Sequence, residues 1–343
     1  MTVRPLLEIT DLSVTYWGRS LLGLRGKPFF AVKGANLAIR AGETLGLVGE
    51  SGSGKSSIAN TVLGLVPASS GSIRFGDHDL VAMKTRYPSE VRNQIQAVFQ
   101  DPYSSLNPSM TVEGIVTEPL RVHTNMNKAE RRERAIELLK LVSLQEEHLS
   151  RHPHQFSGGQ RQRIAIASAL ALRPKLIVLD EPVSALDVST QNQIINLLYE
   201  RRDALGIAYL LIAHDLALVH HISDRIAVMY LGHIVEEGPS DRVYKNPAHP
   251  YTKALLDAVP LLDPDRQRAR RESRKLQPAL DTQRVADVGC PYKNRCPMAM
   301  PRCQTDMPPE YPVAGGGVAN CFLLAPEVEG HHATKPSREK RIP

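Results

Sequence analysis

The chain lacks any run long enough to span a bilayer: no window approaches the roughly 20 consecutive apolar residues a transmembrane helix needs. The apolar run Ile164–Leu172 is too short for that and reads as a buried helix. Its first residues, MTVRPLLEITDL, turn polar too soon for the apolar core of a signal peptide. A role at a membrane would therefore run through partner chains. There is no internal repeat. Cysteine is scarce, with four in 343 residues, and all four fall within the last 54.

Charge of one sign is also missing from the body of the chain. Of a net +6, the stretch RQRARRESRK (266–275) supplies +5 and KPSREKR (335–341) supplies +3, leaving about −2 for the rest. A surplus confined to a linker and a tail reads as solvated chain and gives no support to nucleic-acid binding. Composition is otherwise that of a folded soluble protein, 42% hydrophobic and 23% charged.

The first 240 or so residues alternate short apolar runs with helical patterns, as an α/β domain does. Leu45–Val48, Leu176–Leu179 and Tyr209–Ala213 are apolar throughout, which predicts strands covered on both faces. Lys128–Val142 has helical spacing, with Ile136, Leu139 and Val142 on one side. Gln193–Arg202 lies in a second helix, which Gly206 should end. Prolines 239, 247, 250, 260 and 264 mark the exit from this domain.

Gly49-Glu50-Ser51-Gly52-Ser53-Gly54-Lys55-Ser56, followed by Ser57, fits G-x-x-x-x-G-K-[ST] directly after a strand-like run. Glycines let the backbone wrap phosphate oxygens with N–H groups inward, and the helix starting near Ser56 presents its positive end. Lys55 would reach the β/γ-phosphates and Ser56 would help hold Mg²⁺. The apolar strand Leu176–Leu179 delivers Asp180, suited to Mg²⁺, and Glu181, suited to polarise water as a general base.

Phe156-Ser157-Gly158-Gly159-Gln160 resembles the L-S-G-G-Q signature of ABC ATPases, with Phe in place of Leu. The resemblance spans residues 6 to about 255 and implies the remaining roles. Tyr16, beside Trp17, matches the aromatic that stacks on adenine. Gln100 in AVFQDP matches a glutamine that senses Mg²⁺ and the attacking water. Ser184-Ala-Leu-Asp187 matches the loop that crosses the dimer interface, and His214 matches the histidine that contacts the γ-phosphate. It further implies an ABC-type P-loop ATPase core (1–255) with a helical subdomain at about 103–170. Two ATPs would be sandwiched between two subunits, each closed by the partner's Ser157–Gln160.

FQDPYSSLNPSMTV, RHPHQFSGGQRQRIAIASALALRPKLIVLDEPVSALDVS and NPAHPYTKALL resemble dipeptide and oligopeptide importer ATPases, and VSALDVS resembles the second ("F"-type) member of their unlike pair. That implies ATP-driven uptake of peptides at the cytoplasmic face of the cell membrane. The implied partners are a second, paralogous ATPase, two permeases and, indirectly, an extracytoplasmic solute-binding protein. The same ATPase could serve nickel, glutathione or oligosaccharide import, or be an ABC ATPase that transports nothing. Ser168 stands where many relatives carry Arg.

After a basic linker (256–285), a Cys-rich extension (286–343) holds Cys290, Cys296, Cys303 and Cys321, with five, six and seventeen residues between them. Four thiolates can ligate one metal centre, either Zn²⁺ or an iron–sulfur cluster. The gaps exceed the C-x₂₋₄-C usual for structural zinc and favour iron–sulfur, and the family resemblance implies a [4Fe–4S] cluster. Disulfides are disfavoured in a reducing cytosol.

Overall fold

The computed structural model describes residues 4–19, 25–84, 86–258 and 288–326. The basic stretch at 266–275, nearly all of the expected linker 256–285 and the tail at 335–341 lie outside the described residues.

An eight-stranded sheet organises the molecule. Its strands are β3 (Thr44–Val48), β6 (Ile95–Val98), β7 (Leu176–Asp180), β8 (Ala208–Ala213), β9 (Arg225–Tyr230), β10 (His233–Pro239), β11 (Tyr311–Pro312) and β12 (Val318–Ala319), in spatial order β11-β12-β10-β9-β3-β8-β7-β6. Pairings among β9, β3, β8, β7 and β6 are parallel; β10, β12 and β11 add antiparallel. A second, antiparallel sheet of β1 (Leu7–Arg19), β2 (Arg25–Ile39), β4 (Ser70–Phe75) and β5 (His78–Asp79) runs β2-β1-β4-β5.

The apolar strands are buried on both faces, as expected. Leu176 and Val178 join one core with the antiparallel sheet, while Ile177 and Leu179 join another beneath the helices. The two-residue side-chain period thus splits one strand between two cores.

The helices are α1 (Lys55–Val62), α2 (Ser89–Gln94), α3 (Pro102–Ser105), α4 (Val112–His123), α5 (Lys128–Leu141), α6 (Gly158–Leu170), α7 (Val188–Leu205), α8 (Leu216–Ile222), α9 (Ser240–Lys245), α10 (Pro250–Ala258) and α11 (Arg302–Thr305). Helix α5 starts with an Asn127–Glu130 capping box and ends on Val142. Gly206 closes α7 in the left-handed region, φ +66°. Helices α4, α5 and α6 pack on one another as one layer. Ser168 lies within it, donating to the Ile115 carbonyl at 3.3 Å. Among the described residues, no helix is long and apolar enough to cross a membrane.

The Cys-rich segment is fastened to the core sheet. Strand β12 pairs with β10 at Glu236–Glu237, and the Asn320 N–H donates to the Val235 carbonyl at 2.9 Å. Arg242, buried on α9, donates to the carbonyls of Gly316 (3.0 Å) and Glu237 (2.7 Å) and pairs with the fully buried Glu236. The Glu236 carboxylate also accepts the N–H groups of Ala248 and His249, each at 2.9 Å. This satisfied network fixes the start of α10 against the extension.

Candidate functional site

The phosphate loop leaves β3 at the centre of the sheet, where parallel strands present their C-terminal ends. Gly54 sits at φ +113°, and a Cβ there would lie 2.2 Å from the Ala31 carbonyl oxygen. Only glycine permits that turn and that approach. Lys55, on the first turn of α1, donates to the carbonyls of Gly49 (2.8 Å) and Glu50 (3.0 Å). Burial lowers its pKa, against the opposing pull of Glu181, Asp180 and Glu50. Three carboxylates therefore act on this buried ammonium.

The Ser56 hydroxyl meets the Asp180 carboxylate at 3.2 Å, bringing together the two residues expected at Mg²⁺. Burial raises the Asp180 pKa, Ser56 opposes this, and neighbouring Glu181 adds to it. An ionised Asp180 is thus costly here, and a bound divalent cation would offset that cost.

Glu181 follows in the left-handed region, φ +48°, a conformation uncommon for a non-glycine residue. Its N–H donates to the Ile212 carbonyl at 2.9 Å, and its own carbonyl accepts the Ser184 hydroxyl at 3.1 Å. Those two bonds hold the strained residue in place. The carboxylate stands 3.6 Å from Nδ1 of His214, which lies just past β8 and is exposed. Gln100 lies two residues beyond β6, whose Val98 pairs with Leu179 on β7. Tyr16 reaches over the loop from β1, its hydroxyl 3.3 Å from that of Ser57. Trp17, the other aromatic considered there, is more exposed.

Ser157–Gln160 sits elsewhere in the same chain. Ser157 caps α6: its hydroxyl accepts the Gln160 N–H at 3.3 Å, and the Gln160 side chain accepts the Ser157 N–H at 3.0 Å. A Cβ on Gly159 would meet Cγ2 of Thr190 at 2.3 Å. Thr190 is held by Asp187, which caps α7 by accepting the Thr190 N–H (2.9 Å) and hydroxyl (2.7 Å). The glycine turn and the Asp187 loop are thus packed as one unit. Among the described residues, no hydrogen bond or ion pair joins Ser157–Gln160 to Gly49–Ser57.

All four cysteines are free, and they line one narrow cavity with His249, Tyr292 and Phe322. Cys290, Cys303 and Cys321 are buried and Cys296 is half-buried. Burial raises the thiols of Cys290 and Cys296 and pushes Cys321 up to about 11. Among the described residues, no group of three or more His, Cys, Asp or Glu is gathered closely enough to hold a metal ion.

Three residues at the phosphate loop escaped the sequence reading. Tyr251 accepts the Glu50 N–H at 2.9 Å, Arg295 pairs with the Glu50 carboxylate at 2.8 Å, and the Arg295 guanidinium carbon lies 5.8 Å from the Tyr230 ring centroid. The last two partners come from outside any motif. Tyr251 lies within NPAHPYTKALL, a stretch that carries no mark of contact with a loop 201 positions away.

A glycine loop on a central parallel strand, a serine–aspartate pair beside it, and a glutamate–histidine pair at neighbouring strand ends define a P-loop ATPase of the ABC class. Residues 32–184 match the family "ABC transporter", and residues 235–303 match "Oligopeptide/dipeptide transporter, C-terminal region". The chain belongs to the ABC transporter ATP-binding subunits, in their oligopeptide/dipeptide branch. It is 48% identical to the oligopeptide transport ATP-binding protein OppF of Salmonella typhimurium over 309 residues, 89% of this chain and 92% of that one. The Escherichia coli OppF matches at the same identity and coverage. Among solved structures, the ATP-binding cassette MJ0796, a dimer bound to ADP and Pi, superposes with TM-score 0.60 at 30% identity, covering 68% of this chain and 98% of that one.

Proposed function

We propose that this chain hydrolyses ATP to energise import of oligopeptides or dipeptides through a membrane permease. The 48% identity to OppF across nearly the whole chain carries this reading. In it, residues 1–255 form the motor, with a helical subdomain at about 103–170, and 286–343 form a Cys-rich extension.

Backbone N–H groups of Gly49–Ser57 and the Lys55 ammonium hold the phosphates, and Tyr16 supports the base. Ser56 and Asp180 would hold Mg²⁺, which would supply positive charge against the phosphates, while Gln100 orients the attacking water. Glu181 draws the proton from that water, and His214, 3.6 Å away, contacts the γ-phosphate and steadies the Glu181 carboxylate. Ser157, Gly158, Gly159 and Gln160 close the site of a second ATPase chain, with Asp187 at the junction. Their position away from this chain's own phosphate loop supports a two-chain motor working with two permeases at the cytoplasmic face of the membrane. An extracytoplasmic binding protein would deliver the substrate.

Cys290, Cys296, Cys303 and Cys321 would hold a [4Fe–4S] cluster, whose iron would supply positive charge beside the buried thiolates. Four thiols lining one cavity supply the four thiolate ligands that such a cluster takes. The bonds it makes would staple a segment too small to bury a core of its own.

Deleting the chain from its host should abolish uptake of a labelled tripeptide while leaving nickel, glutathione and oligosaccharide uptake intact. Unchanged peptide uptake, or loss of one of the others alone, would overturn this assignment.

A further inference from the structure

We infer that Arg295 is a positioning residue for the phosphate loop: the Cys-rich extension holds Glu50 in place and so sets the affinity of this chain for nucleotide. This rests on reading Gly49–Ser57 as the ATP site. Glu50 is the second residue of that loop and is gripped twice from the C-terminal side. Its N–H donates to the Tyr251 hydroxyl at 2.9 Å, and its carboxylate accepts from the Arg295 guanidinium at 2.8 Å. The same residue's carbonyl accepts from Lys55 at 3.0 Å, so its placement bears directly on the ammonium that meets the phosphates.

Arg295 is itself well fixed. Its guanidinium carbon lies 5.8 Å from the ring centroids of both Tyr230 and Tyr292. Tyr230, Tyr251 and Tyr292 form a mutual ring cluster with centroid separations of 4.5, 5.2 and 5.3 Å. Its members come from β9, α10 and the extension, so one aromatic cluster joins the central sheet, the end of the motor and the Cys-rich segment. The side chains of Arg295 and Glu50 are 31% and 43% exposed. An ion pair that accessible adds little to overall stability. Its effect is local, on where a short glycine-rich loop rests.

The turn that carries Arg295 also carries cysteines. The Lys293 N–H donates to the Cys290 carbonyl at 3.1 Å and the Arg295 N–H to the Tyr292 carbonyl at 3.0 Å, with Cys296 next in sequence. Tyr292 lines the cysteine cavity and packs on Tyr251. A rearrangement of the cavity therefore moves Arg295 relative to Glu50. The extension thereby acts on nucleotide binding in addition to capping the fold.

The test is calorimetric titration of the purified full-length chain with ATP and Mg²⁺, alongside ATPase kinetics and thermal unfolding. Arg295→Ala is expected to raise the Kd and KM for ATP about three- to tenfold, with kcat and the unfolding temperature nearly unchanged. Arg295→Lys should recover part of the affinity by keeping the charge. Tyr251→Phe, which removes only the hydroxyl, should weaken binding in the same direction. In a Glu50→Gln background, Arg295→Ala should cause much less further loss. Wild-type affinity in Arg295→Ala, or a loss that adds in full to that of Glu50→Gln, overturns the inference. So does a loss that accompanies a lowered unfolding temperature and that Arg295→Lys fails to restore. Absence of ATP binding by the wild-type chain would instead overturn the reading of Gly49–Ser57.

Discussion

Replacing Gly159 by alanine should uncouple two loops that the fold packs together. The new Cβ would stand 2.3 Å from Cγ2 of Thr190, against the roughly 3.5–4.0 Å at which carbon atoms rest. Thr190 cannot rotate away cheaply, because its hydroxyl and N–H are both committed to Asp187. Relief requires α6 and α7 to part or the Asp187 cap to break. Overpacking of this kind costs about 1–3 kcal/mol, and loss of a cap about 0.5–2 kcal/mol. The gain from exchanging glycine for alanine in a helix is at most about 1 kcal/mol, and smaller in a first turn. Destabilisation wins, by about 1–2 kcal/mol, or roughly 2–8 °C in unfolding temperature. Because the change lies away from Gly49–Ser57, ATP binding should survive while hydrolysis falls at least tenfold. Thr190→Ser removes the offending methyl and keeps the hydroxyl, so it should restore most of the lost stability in the Gly159→Ala background. Differential scanning fluorimetry reads both effects. A Gly159→Ala protein that melts at or above the wild-type temperature, or one that Thr190→Ser leaves unimproved, would refute the packing argument.

Asp180→Asn should raise the unfolding temperature of the nucleotide-free chain by a few degrees while abolishing Mg²⁺-dependent hydrolysis, because it removes a carboxylate whose charge burial disfavours. The folded-state pKa is raised, so the folded chain binds the proton more tightly. The stability deficit is therefore absent below the unfolded value and grows as pH rises through the folded one. The gap between variant and wild type should accordingly widen as pH rises above the ordinary carboxylate value of 3.8, and a lower melting temperature for Asp180→Asn would contradict it. Anaerobic reconstitution with iron and sulfide should give brown protein absorbing in the visible, and changing all four cysteines to serine should abolish the colour. Stoichiometric zinc in anaerobically prepared protein, without iron, would contradict the cluster.

What the sequence made legible was local. The phosphate loop, the acidic strand end and the Ser157–Gln160 turn are contiguous motifs, and each stands in the strand or helix context that its chemistry needs. Gly206 could be read as a helix end because a left-handed residue there favours glycine. The covered strands were legible because they lack polar alternation. The antiparallel sheet was not: β1 and β2 pair with repeated register shifts, which blur the two-residue period. The grip on Glu50 was not legible either, since Arg295 lies 245 positions away and the contact depends on how the extension docks on β10. Strain at Glu181 is likewise held in part by a tertiary contact, the bond to Ile212 on β8, alongside a local one to Ser184 three residues on.

The most direct test of the central claim is steady-state ATP hydrolysis by the purified chain with its partner ATPase and permeases, comparing wild type with Glu181→Gln. The substitution preserves shape and removes the base. ATP should still bind with near-normal affinity while turnover falls by at least a hundredfold. Near-normal hydrolysis by Glu181→Gln would show that the site does not work through Glu181.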